Sequence, residues 1–391
     1  MFDLEIYEIV FIAFFAIAFV FGFFAQQKQF CFSGSLKDYI QIKSTKRAAS
    51  VVMAMIVAII STQIFASIFD IDLSSSSYFK SNINYFAIII GGALFGAGMM
   101  IADGCSSRSI VKFAQGDTNA LVTLLFIAIF AFASTKGFLF VLVNGFINNQ
   151  FMIDISSNLS NFTLNIYFVL VILVLILAYF VKKVKRVFSL YDGVIIGFLI
   201  GFAWFISGYI GAESIEKEIQ VQALSYVFPS AKTLEFFTSY EVTELSIGVC
   251  IVLGAAFGAY FSTFFNKKYS FGCTSKMNFN KLKYNMIGGS MMGIGGIMAI
   301  GCTVGQGLSG ISTLVFSSFL AIISIGVSGF ITGKILPDFV AFLIKKVRIP
   351  IIKALRLFLS HFWVTHVIIV HVCKKKNKLK WLNKCPNFRK N

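Results

Sequence analysis

Two glycine–cysteine pairs, Gly104-Cys105 and Gly301-Cys302, each end a glycine-rich apolar stretch and lead straight into polar residues. Ser106-Ser107-Arg108-Ser109 follows the first, and Thr303-Val304-Gly305-Gln306-Gly307 follows the second. Cys31, after Phe30, precedes Ser33-Gly34-Ser35, and Cys273 precedes Thr274-Ser275. These polar pieces are too short to cross a bilayer. Irregular backbone at that depth persists only where it is buried in protein or lines a wet cavity. Gly104 and Gly301 permit a sharp turn, and the hydroxyls that follow can cap short helices whose free N–H groups attract anions. A serine would bind an oxyanion better than a cysteine does, so thiols point to a substrate with a soft sulfur or selenium atom. A neutral S–H is a weak donor, which lets an ion enter and leave. A thiolate would instead repel an anion by about 4 kcal/mol per charge pair at 4 Å and an effective dielectric of 20. Permeation therefore requires protonated thiols.

Arg108 and Lys112 are placed to recruit an anion, with Asp103 and Asp117 flanking and neutralising them, and Gln306 is expected on the path. The remaining cysteines, Cys250, Cys373 and Cys385, read as packing or tail residues. Seven cysteines without a C-x-x-C exclude a disulfide framework or zinc ribbon. His361, His366 and His371 recur every five residues and share no helical face, so no metal is expected. No nucleotide-binding fingerprint stands in the right context, and no cofactor is expected.

The elements that must hold these residues are membrane spans. Of 391 residues, 57% are hydrophobic and 13% charged, with a mean hydropathy of +0.83. That is half the usual charged fraction and describes a polytopic membrane protein. Apolar runs long enough for a bilayer core about 30 Å thick place nine spans near 6–25, 49–69, 84–102, 120–143, 164–181, 193–211, 245–265, 284–301 and 313–333. Segments 26–48, 182–190 and 266–283 are basic, 144–163 has no Lys or Arg, and 212–244 is acidic. Basic loops stay in the cytoplasm, so the N-terminus is expected outside and the C-terminus inside. Most of the formal charge of +17 lies beyond residue 333. Such a tail suits anionic lipid and not nucleic acid, and 350–373 reads as an interfacial helix. The expected domains are 1–335, with repeat halves about 1–181 and 193–335, and a tail at 336–391.

The halves show in the sequence. At a constant offset of 197, Gly91, Gly92, Gly96, Gly98, Ala102, Gly104 and Cys105 coincide with Gly288, Gly289, Gly293, Gly295, Ala299, Gly301 and Cys302. Phe23-Phe24 before Phe30-Cys31 is echoed by Phe264-Phe265 before Phe271-Gly272-Cys273. The assigned directions invert the glycine repeats, as transporters use them, whereas the Phe-Phe copies run the same way. The glycine runs themselves read as helix-packing faces.

On these motifs, over about residues 5–335, the chain resembles the YeeE/YedE family of sulfur-compound transporters. The resemblance implies an all-α inner-membrane protein of about nine transmembrane helices with four re-entrant cysteine-bearing loops. It implies thiosulfate uptake, without oxidation, along Cys31, Cys105 and Cys302, with Cys273 a weaker member. A branch of similar length is tied to selenium metabolism, and Ser107-Arg108 departs from the Thr-x-Gly pattern after Cys302. The expected partners are a small sulfur- or selenium-containing anion, the bilayer, and a soluble sulfur carrier docking on the basic tail. The competing readings are a selenium-compound permease and a membrane thiol oxidoreductase or sulfur-transfer protein, which would need a resolving cysteine beside a reactive one.

Overall fold

The computed structural model describes residues 5–79, 84–148, 165–182, 190–214, 219–238, 245–266 and 279–335. The chain divides at Gly333/Lys334 into two units. Cys273, Cys373, Cys385, the three histidines and the region of the expected interfacial helix and tail lie outside the described residues.

Among the described residues the regular elements are helices: α1 (Ile6–Lys28), α2 (Phe32–Ile42), α3 (Lys46–Ile68), α4 (Tyr85–Ile101), α5 (Ser106–Ala114), α6 (Thr118–Thr135), α7 (Phe140–Ile147), α8 (Ile166–Val181), α9 (Tyr191–Phe205), α10 (Val227–Thr238), α11 (Ile247–Phe265), α12 (Phe279–Met298) and α13 (Phe316–Ile335). Seven helical stretches are long and apolar enough to cross a bilayer. The apolar α8 has 16 residues, and α12, with 20, begins around Lys281 and Lys283. Helices satisfy every backbone group internally, which is why long apolar runs take this form in lipid. Phe168, Val171, Val174 and Leu175 of α8 are exposed on the protein, as lipid-facing residues are. The chain is a multi-pass membrane protein.

One expected span breaks in two. The run 120–143 stops at Thr135, where the N–H groups of Gly137 and Leu139 both bond the Ala133 carbonyl, and restarts as α7. A Cβ on Gly137 would lie 2.7 Å from Ala133 Cα.

Within lipid, helices associate by close packing of small residues. Gly193 and Gly197 bring α9 against the Ser50 and Ala54 carbonyls of α3, running parallel to it. Phe15 pairs with Phe257 and Phe19 with Phe261, so α1 and α11, the two Phe-Phe copies, are also parallel. The glycine copies are not. Gly91 meets Gly295 and Gly98 meets Gly288, so α4 and α12 cross in opposite directions. The second glycines of each run face outward from this crossing. Gly92 and Gly96 seat α13 at Ala321 and Ile325, and Gly289 and Gly293 seat α6 at Thr123 and Ile127. Both α6–α12 and α13–α4 follow the same pattern, one residue apart in offset, so the duplication extends into the helix after each cysteine. Residue i meets the counterpart of j while j meets the counterpart of i, which is the signature of a two-fold arrangement.

Candidate functional site

Each described glycine- or Phe-linked cysteine sits at the same local structure. The preceding helix closes with a left-handed residue two positions before the cysteine: Gln29 (φ 59°), Asp103 (φ 60°) and Ile300 (φ 57°). The next N–H, of Phe30, Gly104 or Gly301, reaches back five residues to the carbonyl of Ala25, Met99 or Gly296 at 3.1, 3.0 and 2.8 Å. That is a Schellman ending. The cysteine carbonyl then accepts the first bond of the next helical run, from Ser35, Ser109 or Gln306 at 3.0, 2.9 and 2.7 Å. Cys31, Cys105 and Cys302 are therefore N-cap residues, in one turn built three times.

Two expectations change here. A left-handed φ falls on Gln29, Asp103 and Ile300, one residue before Phe30, Gly104 and Gly301; Gly301 also has φ 159°, so the expected glycine turn holds there and not at Gly104. The local reason is the Schellman geometry, which needs its left-handed residue at the position before the one making the back-bond. The caps also differ from those expected, since the cysteine itself takes the place assigned to the following hydroxyls. Cys31 Sγ accepts from Gly34 N, and Cys302 Sγ from Gly305 N, both at 3.3 Å. Cys105 Sγ makes no such cap and instead lies 3.4 Å from Ser107 Oγ.

The three turns meet. Cys31, Cys105 and Cys302 are all buried and free, and the three belong to one buried cluster. Phe30, Cys31, Met55, Ser107, Thr303 and Leu308 line one small pocket, so segments from α1–α2, α4–α5 and the Cys302 turn share it. Tyr78, from the α3–α4 connection, donates to the Gly305 carbonyl at 3.0 Å and holds the π-helical turn Gly305–Gly310 that follows Cys302.

Arg108 is half-buried beside these thiols. One guanidinium nitrogen, Nη2, donates to Gln29 Oε1, and the other, Nη1, is buried without a partner among the described residues. Of the acids expected to neutralise Arg108 and Lys112, Asp103 engages Lys112 and Asp117 engages neither. Asp103 pairs with Lys37 and, at 3.0 Å, with Lys112, and Asp117 caps α6 through Asn119 N at 3.0 Å. Gln306 is buried, its Nε2 donating to the Ala299 carbonyl at 2.6 Å and its Oε1 unpartnered. Cys250 lies within α11, away from any turn. Among the described residues no three of His, Cys, Asp and Glu form a metal-ligand set.

Sequence reasoning missed Tyr226. The stretch 212–244 reads as an acidic loop, yet Ala223, Leu224 and Tyr226 are buried, in the same cluster as Cys302 and Cys105. Pro229-Ser230 in the first turn of α10 was the available signal for a helix start there.

Apolar helices crossing through glycine and short helices capped at a shared buried centre define a polytopic membrane transporter architecture. A family model described as sulphur transport matches residues 28–331, and the chain belongs to that family, the YeeE/YedE family. It is 24% identical over 349 residues to the thiosulfate transporter TsuA of Spirochaeta thermophila, covering 78% of this chain and 92% of that protein. To the thiosulfate transporter TsuA of Escherichia coli K12 it is 20% identical over 330 residues, covering 77% and 88%. The chain is thus a member of a sulphur-transport family whose curated relatives carry a sulfur oxyanion.

Proposed function

We propose that this protein is a permease, not an enzyme, that imports a small sulfur-containing anion, thiosulfate, across the cell inner membrane. The observation that carries the reading is the convergence of Cys31, Cys105 and Cys302, each at the start of a helical run, on one buried cluster beside Arg108. The three turns act as re-entrant pieces of a fold of nine spans, with the N-terminus outside. Each contributes N–H groups at a helix start, which favour negative charge. Neutral thiols add weak, soft contacts that hold a terminal sulfur without trapping it. The Arg108 guanidinium supplies positive charge next to the thiols, while Arg47, close to Cys31, is paired with Asp38; Gly104, Gly301 and Gln306 shape the turns around them. Cys273 is a weaker member of the same path, and a soluble cytoplasmic sulfur carrier is a further partner.

The placing of Cys31 and Cys105 in one cluster would also suit dithiol exchange. That reading requires the number of free thiols to change during turnover, whereas permeation requires it to stay constant. Uptake of sulfur-35 thiosulfate into proteoliposomes, with free thiols titrated before and after, tests the proposal. Saturable uptake resistant to excess sulfate, with the thiol count unchanged, is expected. Competition by selenite stronger than by thiosulfate itself would move the assignment to a selenium compound, and absence of uptake would remove it.

A further inference from the structure

Tyr226 has a chemistry that the thiol path leaves unused. Its side chain is fully buried, with its ring 5.4 Å from that of Phe21 on α1. Its hydroxyl has no hydrogen-bond partner among the described residues. The residue is delivered to the centre by a pinned extended stretch. Ser207 Oγ donates to the Gln222 carbonyl at 2.7 Å and accepts from Gln222 N at 3.1 Å, and Ser309 Oγ donates to the Leu224 carbonyl at 2.7 Å. The Tyr226 carbonyl then accepts from Ser230 N at 3.3 Å and Ser230 Oγ at 2.5 Å. Tyr226 thus opens the 12-residue α10 as the cysteines open their helices. A fourth helix start reaches the same centre, and a phenol stands where the others carry a thiol.

Tyr226 shares one buried cluster with Cys105 and Cys302, and its chain neighbours pack on the segment around Cys302: a Cβ on Gly305 would lie 2.8 Å from Ser225 Oγ, and one on Gly296 2.8 Å from Val227 Cγ2. Thr303 Oγ1 is buried against the Cys105 thiol with no hydrogen bond of normal geometry. Buried hydroxyls left unbonded are costly, and a site that binds a polar ligand is where they persist. An O–H is a much better donor to oxygen than an S–H is.

We infer that the Tyr226 and Thr303 hydroxyls form an oxyanion subsite, gripping the oxygens of a tetrahedral sulfur anion while its terminal sulfur rests on the Cys105 and Cys302 thiols. This inference rests on the permease reading and adds to it a division of labour between hard and soft ends of one ion. Two anions separate the ends: sulfite carries oxygens without a terminal sulfur, and hydrosulfide carries sulfur without oxygens.

The test is Tyr226→Phe and Thr303→Val in the full chain, read by thiosulfate uptake in proteoliposomes and by the thermal shift that thiosulfate produces in detergent. Each variant should raise KM for thiosulfate roughly 3- to 10-fold, the loss of one hydrogen bond, with the maximal rate near wild type. Inhibition by sulfite should weaken in parallel, and inhibition by hydrosulfide should not change. Without anion, Tyr226→Phe should melt at or above the wild-type temperature, since the hydroxyl it removes has no partner. An unchanged KM, or equal weakening toward sulfite and hydrosulfide, overturns the subsite. A wild type that binds thiosulfate but does not carry it, with binding weakened in Tyr226→Phe, keeps the subsite and overturns the permease. A wild type that does neither overturns both.

Discussion

Gly91 and Gly295 touch backbone to backbone, each packed on the carbonyl of the other. A Cβ built on Gly91 would come 2.8 Å from the Gly295 oxygen, and one on Gly295 would come 2.6 Å from the Gly91 oxygen. Because the offset of 197 pairs Gly91 with Gly288 and Gly98 with Gly295, the contact is between non-equivalent positions of the two copies. It therefore fixes their antiparallel crossing. The cysteine turns begin just beyond the ends of these two helices, so the crossing sets where Cys105 and Cys302 arrive.

The crossing should resist any side chain. Gly295→Ala pushes a methyl onto the backbone of Gly91 and Phe95, which cannot move aside as a side chain does. A loss of about 1–3 kcal/mol is expected, seen as a lower melting temperature in detergent, and Gly98→Ala should match it. Gly145→Ala, with nothing within 4 Å of its Cβ in the short helix α7, is the control and should be neutral or slightly stabilising. Equal melting of all three variants would remove the crossing from its central role.

Arg108 should govern affinity for charge. Its Nη1 is buried without a hydrogen-bond partner among the described residues, and one charge pair at 4 Å and a dielectric of 20 is worth about 4 kcal/mol. Arg108→Gln is expected to raise KM for thiosulfate at least about tenfold, which needs only about 1.4 kcal/mol. Arg108→Lys should recover part of this, because a lysine keeps the charge but not the fork that bonds Gln29 and substrate together. Uptake at fixed ionic strength reads both, and a wild-type KM in Arg108→Gln would contradict the assignment.

A pH effect should appear at a separate place. In the last turn of α10, Glu235 accepts from Lys136 Nζ at 2.8 Å and Lys232 Nζ at 3.0 Å. The hydrogen bond from Lys136, then that from Lys232, holds its carboxyl below the ordinary carboxylate range. A carboxyl depressed in the folded state adds stability above its unfolded value, about 4.3, and loses it as pH falls through the folded value. Glu235→Gln should therefore cost less than about 1 kcal/mol at pH 7, given solvent screening. The difference from wild type should close as melting is repeated below about pH 4.

The sequence showed the cysteines, the glycine duplication and the apolar runs, because each is a local pattern of residue type or spacing. What it concealed follows from tertiary context. Gln29, Asp103 and Ile300 carry the left-handed turns and none is glycine, so composition pointed to the turn only at Gly301, whose own φ is 159°. The bonds that hold those residues in place come from carbonyls five positions back in the preceding helix, not from side chains. Tyr226 was hidden because the glutamates on either side gave 212–244 the look of a solvated loop, while the bonds that draw 219–226 inward come from Ser207 and Ser309. The meeting of Cys31 with Cys105 depends on how α1 and α4 pack, for which no short-range signal exists.

The central claim is that three capped cysteines form one path. Sulfur-35 thiosulfate uptake should be compared in proteoliposomes for wild type, Cys31→Ala, Cys105→Ala, Cys302→Ala and Cys250→Ala. Cys250 is buried within α11 and caps nothing, so it controls for loss of a membrane thiol. The expected result is saturable wild-type uptake, kept in Cys250→Ala and lost in each of the other three. Uptake that survives in Cys31→Ala, Cys105→Ala and Cys302→Ala would contradict a path built on these thiols.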